Sequence, residues 1–350
     1  MVTLNSMIRQ NLKFFRGSLI VTLVGLALAA AIGFYYHGTI SGALQYFVLA
    51  LILGVLEVSI SFDNAVVNAT VLKDMTHLWQ KRFLTWGMVI AVFGMRLFFP
   101  LLIVAFVAHV GPFEAFRLAL FSPDQYAQIM LSVHHEVAAF GGSFLMLVAL
   151  KYFFNHEKEI HWIKMIEGPL SAMGKLEAIE VGVVLAVIYG VSRWVPEAET
   201  LSVIYSGIAG VLTFLAVEGL SVFLRVPAGH GLDAHRASLG MFLYLEVLDA
   251  SFSFDGVVGA FAITNNLLII SLGLGIGAMF VRSLTIMMVE KGTLQAFRYL
   301  EHGAFYAVAA LSGIMFLNTI VHVPEIMTGF IRVTLIALSI YASPRIPTGS

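Results

Sequence analysis

Two short segments of the chain place acidic and hydroxyl side chains within apolar sequence. The first contains Glu57 and the run Ser61-Phe62-Asp63-Asn64, and the second contains Asp249 and the run Ser253-Phe254-Asp255-Gly256. Glu246 lies one helical turn before Asp249. An offset of 192 residues relates the two copies, each with an acid six residues before the Asp of Ser-Phe-Asp. Carboxylate, amide and hydroxyl oxygens are the ligands that hard divalent cations such as Mn²⁺, Mg²⁺ or Ca²⁺ prefer.

These acids lie in segments apolar enough to cross a membrane, where each costs about 2.5–3.5 kcal/mol at a helix centre. Such a cost predicts partners for the acids or a functional site. Each segment is followed by a span with one arginine, Arg96 or Arg282. Structural ion pairs, Asp63 with Arg96 and Asp255 with Arg282, are therefore the alternative to a ligand site. Because acids outnumber these arginines, we predict that the arginines pair with some acids and tune the others.

The spacing within the first segment predicts which side chains share a helix face. Glu57, Ser61 and Asn64 fall on one helical stripe, whereas Asp63 lies off it. Either Asp63 faces a different neighbour, or the helix unwinds near Phe62 and exposes backbone carbonyls beside the carboxylates. The same two alternatives apply to the second copy.

The composition of the chain indicates an integral membrane protein. Of 350 residues, 59% are hydrophobic and 12% charged, against about 45–50% and 25% in soluble proteins. A net charge of −1 argues against a nucleic-acid binder, and the absence of cysteine excludes disulfides, thiolate zinc sites and iron–sulfur clusters. We predict an all-α polytopic fold with ten spans at 18–36, 43–69, 84–108, 137–154, 177–195, 201–224, 239–263, 266–288, 302–321 and 325–342.

The distribution of basic residues predicts the orientation of these spans. Fifteen of the 20 Lys and Arg residues flank the spans on one side, and Arg117 and Arg193 lie on the other. Arg96, Arg282 and Arg332 fall inside spans. Cytoplasmic loops carry the excess of Lys and Arg, so both termini are predicted to be cytoplasmic, which requires an even number of spans.

The repeat predicts two halves of inverted topology. The first copy begins in span 2 and the second in span 7, an odd number of spans later, so they cross the bilayer in opposite directions. Inverted repeats of this kind are common in secondary transporters. The first half is 1–195, with a cytoplasmic segment 1–17 and an acidic motif 57–64. The second half is 196–343, with an acidic motif 246–256, and 344–350 is a tail.

No motif of the chain indicates enzymatic catalysis. Gly273-x-Gly275-x-Gly277 lies in an apolar span without a preceding strand, so it is interpreted as a helix-packing motif and not as a dinucleotide loop. The chain contains no Walker loop, catalytic triad or haem motif. We therefore expect that the protein is not an enzyme.

The two acidic segments, with Glu57-x5-Asp63-Asn64 and Glu246-x2-Asp249-x5-Asp255, resemble the TerC family of integral membrane proteins. That family is named for tellurium resistance and includes Alx-like proteins of bacterial metal homeostasis. The resemblance extends over roughly residues 40–320. It implies a multi-span protein of the bacterial inner membrane, similar to LysE-type exporters, that exports manganese or a related divalent cation. The second copy departs from the first, with Gly256 at the position of Asn64.

The function predicted from these features is export of a divalent cation through a carboxylate site near mid-bilayer, driven by proton antiport. Mn²⁺ is the leading candidate, with Ca²⁺ or Mg²⁺ as alternatives. Two other functions stay open: a transporter of an amino acid or oxyanion, with Arg96 and Arg282 as anion contacts, and a non-transporting scaffold of a tellurite or metal stress-response complex. The expected partners are the lipid bilayer and the metal ion, a homo-oligomer is left open, and nucleic acid is not expected. The metal ligands predicted are Glu57, Asp63, Asn64, Glu246, Asp249 and Asp255, with Ser61, Ser253, Arg96 and Arg282 as neighbours or charge partners.

Overall fold

The computed structural model of the protein describes residues 4–87, 89–176, 178–225, 233–321 and 323–343, without the side chains of 4–11, 84, 225, 233, 254 and 255. All its elements are helical. They are α1 (Leu4–His37), α2 (Ile40–Ile60), α3 (Phe62–Leu72), α4 (His77–Arg82), the π-helices π1 (Phe83–Gly87) and π2 (Ile90–Phe98), α5 (Phe99–Val107), α6 (Pro112–Phe121), α7 (Pro123–Ser132), α8 (His134–Phe153), α9 (Lys164–Met173), α10 (Ile179–Ser192), α11 (Glu197–Arg225), α12 (Asp233–Ala260), α13 (Leu267–Glu290), α14 (Thr293–Ala296), α15 (Leu300–Asn318) and α16 (Glu325–Ala342).

Eight stretches of the described chain are long and apolar enough to cross a membrane, which confirms an all-α polytopic membrane protein. They are Leu12–His37, Ile40–Ile60, His77–Val107, His134–Phe153, Glu197–Leu224, Leu267–Glu290, Leu300–Asn318 and Glu325–Ala342. The other two predicted spans correspond to α10, which is apolar but short, and α12, whose 28 residues include four acids. The count of ten spans and the inversion of the two halves stay predictions, and the tail 344–350 lies outside the described residues.

The second predicted span is not one helix, because it divides at Ser61. α2 ends at Ile60, and Ser61 has φ −107° and ψ 18°, outside the helical region. α3 then begins at Phe62. In the second copy α12 continues from Asp233 to Ala260 without interruption. The unwinding that the spacing permitted therefore occurs in the first copy and is absent from the second.

Helix α13 packs against α1, α2, α3 and π2. Its glycines make this approach close: a Cβ atom on Gly273 would collide with Leu53, and one on Gly277 with Glu57. Small residues let helix backbones approach in lipid, where interfaces are held by packing. This contact agrees with the interpretation of the Gly-x-Gly-x-Gly run as a packing motif.

The acidic helices of each half pack against the arginine-bearing helix of the other half. α2 and α3 contact α13, which contains Arg282, and α12 contacts π2, which contains Arg96. π2 in turn contacts α13. The two acidic segments and the two arginines therefore lie on helices that contact one another.

Candidate functional site

The division at Ser61 brings polar groups together inside the helix bundle. The Ser61 N–H donates to the Glu57 carbonyl at 3.0 Å, and its Oγ donates to Glu57 Oε1 at 3.2 Å. Asp63 lies in the first turn of α3. A carboxylate is stabilised there, since the free N–H groups and the dipole of a helix N-terminus are positive.

Asp63 is paired with Arg332 of α16 and not with Arg96. Arg332 Nε donates to Asp63 Oδ2 at 3.0 Å, and Nη2 donates to Oδ1 at 2.6 Å. Both side chains are buried. This bidentate geometry is the strongest form of a carboxylate–guanidinium contact. The predicted pairing of Asp63 with Arg96 is wrong because a closer guanidinium reaches it from the last span.

Arg332 is a site residue that the sequence argument missed. It lies 269 residues from Asp63 and outside the repeated segments. The sequence feature that could have identified it is its position inside a predicted span, as the third such arginine. A buried arginine needs an acidic partner.

Arg96 pairs instead with Glu57, the first acid of its own half. Its Nη2 lies 2.5 Å from Glu57 Oε1, and its Nη1 donates to the Ala91 carbonyl at 2.7 Å. Both charged groups are buried. Gly256 of the second copy lies beside this pair, because a Cβ atom built on it would be 3.1 Å from Glu57 Oε2.

Arg282 makes a looser arrangement with the acids of the second copy. Its Nη2 lies 3.6 Å from Glu246 Oε1 and 3.9 Å from Asp249 Oδ2, beyond hydrogen-bond range. Its Nη1 donates to the Phe83 carbonyl of π1 at 2.7 Å. π-helical segments are frequent at functional sites. Here π1 also brings Gly87 against Glu246, and a Cβ atom on Gly87 would displace the ends of the Glu246 and Arg282 side chains.

Among the described side chains, a hydrogen bond joins the two copies directly. Asn64 Nδ2 donates to Asp249 Oδ1 at 2.9 Å across 185 residues of sequence. The repeat offset relates Asn64 to Gly256 and Asp249 to Glu57. The contact of Asn64 with Asp249 and that of Gly256 with Glu57 are therefore equivalent under the repeat, and only the first can be a hydrogen bond.

Several buried polar atoms around this junction make no hydrogen bond with any described residue. They are Glu246 Oε1 and Oε2, Asp249 Oδ2, Asn64 Oδ1, Asn68 Oδ1, Ser253 Oγ, Nε of Arg96, and Nε and Nη2 of Arg282. Buried polar groups are almost always paired, so each exception requires an explanation. The unpaired atoms are concentrated around the second copy, whereas Asp63 uses both its oxygens.

The buried charges do not balance in the part of the bundle that is described. The acids are Glu57, Asp63, Glu246 and Asp249, and the arginines are Arg96, Arg282 and Arg332. Asp255 adds one formal negative charge from the sequence, but its side chain lies outside the described residues. The predicted role of Asp255 as a metal ligand and its alternative pairing with Arg282 therefore stay predictions. The chain brings together more carboxylates than guanidiniums.

The described residues contain no preformed group of three or more His, Asp or Glu side chains that could hold a metal ion. The oxygens that lack hydrogen bonds belong to two carboxylates, two amides and one hydroxyl. These donors suit a hard cation in kind. Binding through all of them would require the side chains to converge and Arg282 to move away.

Comparison with known proteins gives one family match. A family model described as a protein of unknown function (DUF475) matches residues 62–346, which include α3 with Asp63, both arginine-bearing helices and α16. No curated protein and no solved structure matches the chain.

Proposed function

The chain belongs to the family of proteins of unknown function described as DUF475, and we propose that it is a secondary transporter that exports a hard divalent cation across the bacterial inner membrane. Mn²⁺ is the leading substrate, with Ca²⁺ and Mg²⁺ as alternatives. The proposal is supported above all by the unpaired carboxylate oxygens of Glu246 and Asp249, which are buried beside an arginine that does not hydrogen-bond to them.

The substrate site in this proposal is centred on the second copy. Glu246 and Asp249 supply charge, and Asn64, Asn68 and Ser253 supply neutral oxygens. A divalent ion with these ligands replaces the guanidinium of Arg282 as the neutralising charge. Arg282 also donates a hydrogen bond to the Phe83 carbonyl. This bond can hold the guanidinium when it moves away from the acids.

Proton antiport follows from the same carboxylates. Without a cation, uncompensated buried acids are neutralised most cheaply by protons. A bound divalent ion favours the ionised form and expels those protons. Metal and protons then compete for one set of oxygens, which is the requirement for exchange through a single site.

The two alternative functions are less well supported by the contacts. For anion or amino-acid transport Arg96 is unsuitable, because it already bonds the Glu57 carboxylate at 2.5 Å. Arg282 has N–H groups without a hydrogen bond, but Glu246 and Asp249 beside it would repel an anion. A membrane scaffold needs no unpaired acids inside the bilayer, where they cost free energy. Both alternatives predict that the folded wild-type protein moves no divalent cation.

The test is metal flux with purified protein in liposomes, with Mn²⁺, Ca²⁺, Mg²⁺ and Zn²⁺ compared. We expect Mn²⁺ flux in the wild type and its loss in Glu246→Gln and Asp249→Asn. The matched control is Glu290→Gln, which neutralises an exposed acid of α13 that pairs with Lys13. Flux of no divalent ion by folded wild type, or wild-type flux in both site variants, refutes the proposal.

Coupling is tested in the same vesicles with a protonophore at fixed membrane potential. Antiport requires that Mn²⁺ flux no longer builds a gradient when the pH gradient is dissipated. It also requires that Mn²⁺ binding to the detergent-solubilised protein releases protons into weakly buffered solution. Flux that is indifferent to the protonophore argues against antiport and leaves cation transport in place.

A further inference from the structure

Helix α9, between α8 and α10, buries Glu167 and Ser171 and exposes most of its apolar side chains. The exposed stripe of α9 and the turn after it consists of Met165, Ile166, Pro169, Ala172, Met173 and Leu176. The side chain of Met165 is 88% exposed. Soluble helices show the opposite arrangement, with the apolar face on the core. An uninterrupted apolar face of this kind indicates a surface that is covered by something other than water.

The inward face of α9 is held on the protein by polar contacts. Glu167 is fully buried and accepts a hydrogen bond from Lys158 Nζ at 3.0 Å and others from the N–H groups of Trp162 and Ile163 at 3.2 Å. Ser171 Oγ donates to the Asn155 carbonyl at 3.1 Å. These contacts fix the rotation of the helix about its axis, so the apolar stripe cannot turn inward.

The neighbouring elements identify what covers the stripe. α10, which follows directly, has 14 residues and is about 21 Å long at 1.5 Å per residue, short of the ~30 Å hydrocarbon thickness. Under the predicted topology α10 is a span, so α9 directly precedes the point at which the chain enters the bilayer. Lys164 at its start and Lys175 just after its end are both exposed. Lysines around an apolar face match the anionic headgroups and acyl region of a bilayer surface.

We propose that α9 is an interfacial helix that lies on the bilayer surface, with its apolar stripe among the lipids and its lysines at anionic headgroups. Under the predicted topology this is the cytoplasmic leaflet. Membrane contact and protein contact then occur on opposite faces of one helix. Through Glu167, which lies 3.4 Å from His302 Nε2, the lipid-bound helix is connected to the start of α15.

The test uses the absence of cysteine from the chain. Met165→Cys is labelled with an environment-sensitive fluorophore in full-length protein and reconstituted into lipid nanodiscs that contain phosphatidylglycerol. Quenching by a lipid spin-labelled near its headgroup is compared with quenching by aqueous iodide. The matched control is Glu157→Cys, an exposed position of the preceding loop. We expect greater loss of fluorescence with the spin-labelled lipid at position 165 than at 157, and smaller loss with iodide.

The expected lipid quenching at position 165 also weakens when Lys164→Gln and Lys175→Gln are combined with the label, because headgroup attraction is lost. Equal iodide quenching at 165 and 157 overturns the proposal, since the stripe is then in water. Protection of position 165 from both quenchers overturns it as well, because the stripe is then covered by protein, as in a dimer of this chain. Each variant changes exposed residues, and near-ultraviolet circular dichroism in detergent verifies the fold.

Discussion

Asn64 and Asp249 are hydrogen-bonded at 2.9 Å and belong to different copies of the acidic repeat. The bond leaves Asn64 Oδ1 and Asp249 Oδ2 without a hydrogen bond, and Asp249 Oδ2 lies 3.9 Å from Arg282 Nη2. One oxygen of the carboxylate therefore holds the two halves together, and the other is available to a ligand. This division of roles explains why Asn64 has no counterpart in the second copy, where Gly256 instead leaves room for Glu57.

Replacement of Asn64 by leucine is expected to destabilise the protein. The change keeps the side-chain volume similar but leaves Asp249 Oδ1 buried without a donor, which costs about 1–3 kcal/mol or more for a charged group. The measurement is the thermal unfolding temperature in detergent. Asn265→Leu is the matched control, because Asn265 donates to Asp124 Oδ1 at 2.7 Å in the same kind of bond at an exposed position. Equal shifts in the two variants would contradict the role of Asn64.

Neutralisation of Asp63 and of Glu246 should have opposite consequences for stability. Asp63→Asn removes the partner of a buried guanidinium, with an expected cost of about 3–5 kcal/mol. Glu246→Gln removes a carboxylate that makes no hydrogen bond, so stability should be kept or raised. Both effects are read from unfolding temperatures.

A double variant separates the ion pair from other effects of the Asp63 change. Asp63→Asn combined with Arg332→Gln leaves no unpaired charge and should recover part of the lost stability. If the double variant is no more stable than Asp63→Asn alone, then the pairing of Asp63 with Arg332 is not the cause of the loss.

The sequence predicted the positions of the spans better than the pairing of the charges, for a physical reason. Apolar length is a local property, so the predicted 325–342 coincides with α16. Charge pairing depends on which helices become neighbours. The repeat therefore suggested Arg96 for Asp63, whereas α16 supplies Arg332. The spacing left the division at Ser61 open between two alternatives, because a single stripe cannot distinguish a turned helix from a broken one.

The loop 155–176 shows a second limit of the sequence argument. No periodicity or motif of this segment marks Glu167 as buried. The contacts of Glu167 come from Lys158, Trp162 and Ile163, all of which are close in sequence, so the polar centre is local. The surroundings of Glu167 are not only local, since His302 Nε2 of α15 also lies 3.4 Å from its Oε2.

Topology can be tested independently of the site. The asymmetry of Lys and Arg predicts that the end of α16 is cytoplasmic, so a reporter fused after residue 343 should behave as cytoplasmic. A reporter placed after residue 111, in the loop before α6, should behave as periplasmic and is the internal control. If both fusions report the same side, the predicted orientation and the inversion of the two halves are wrong.

Acidification is expected to release α9 from the protein. Burial alone would raise the pKa of Glu167, but the hydrogen bonds from Lys158 and Ile163 together with nearby His302 hold its pKa below the ordinary glutamate value. A carboxyl whose folded pKa is lowered contributes stability at neutral pH. That contribution is lost as the pH falls below the ordinary glutamate pKa and through the folded one.

Hydrogen exchange of the segment 155–176 measures this release. Wild-type protection should fall as the pH drops through that range, after correction for the intrinsic pH dependence of exchange. Glu167→Gln should show low protection already at neutral pH, with little further change on acidification. Glu157→Gln neutralises an exposed acid of the same loop and should behave as wild type. Protection in Glu167→Gln that matches the wild type at neutral pH would mean that burial of apolar side chains, and not the Glu167 carboxylate, holds α9 in place.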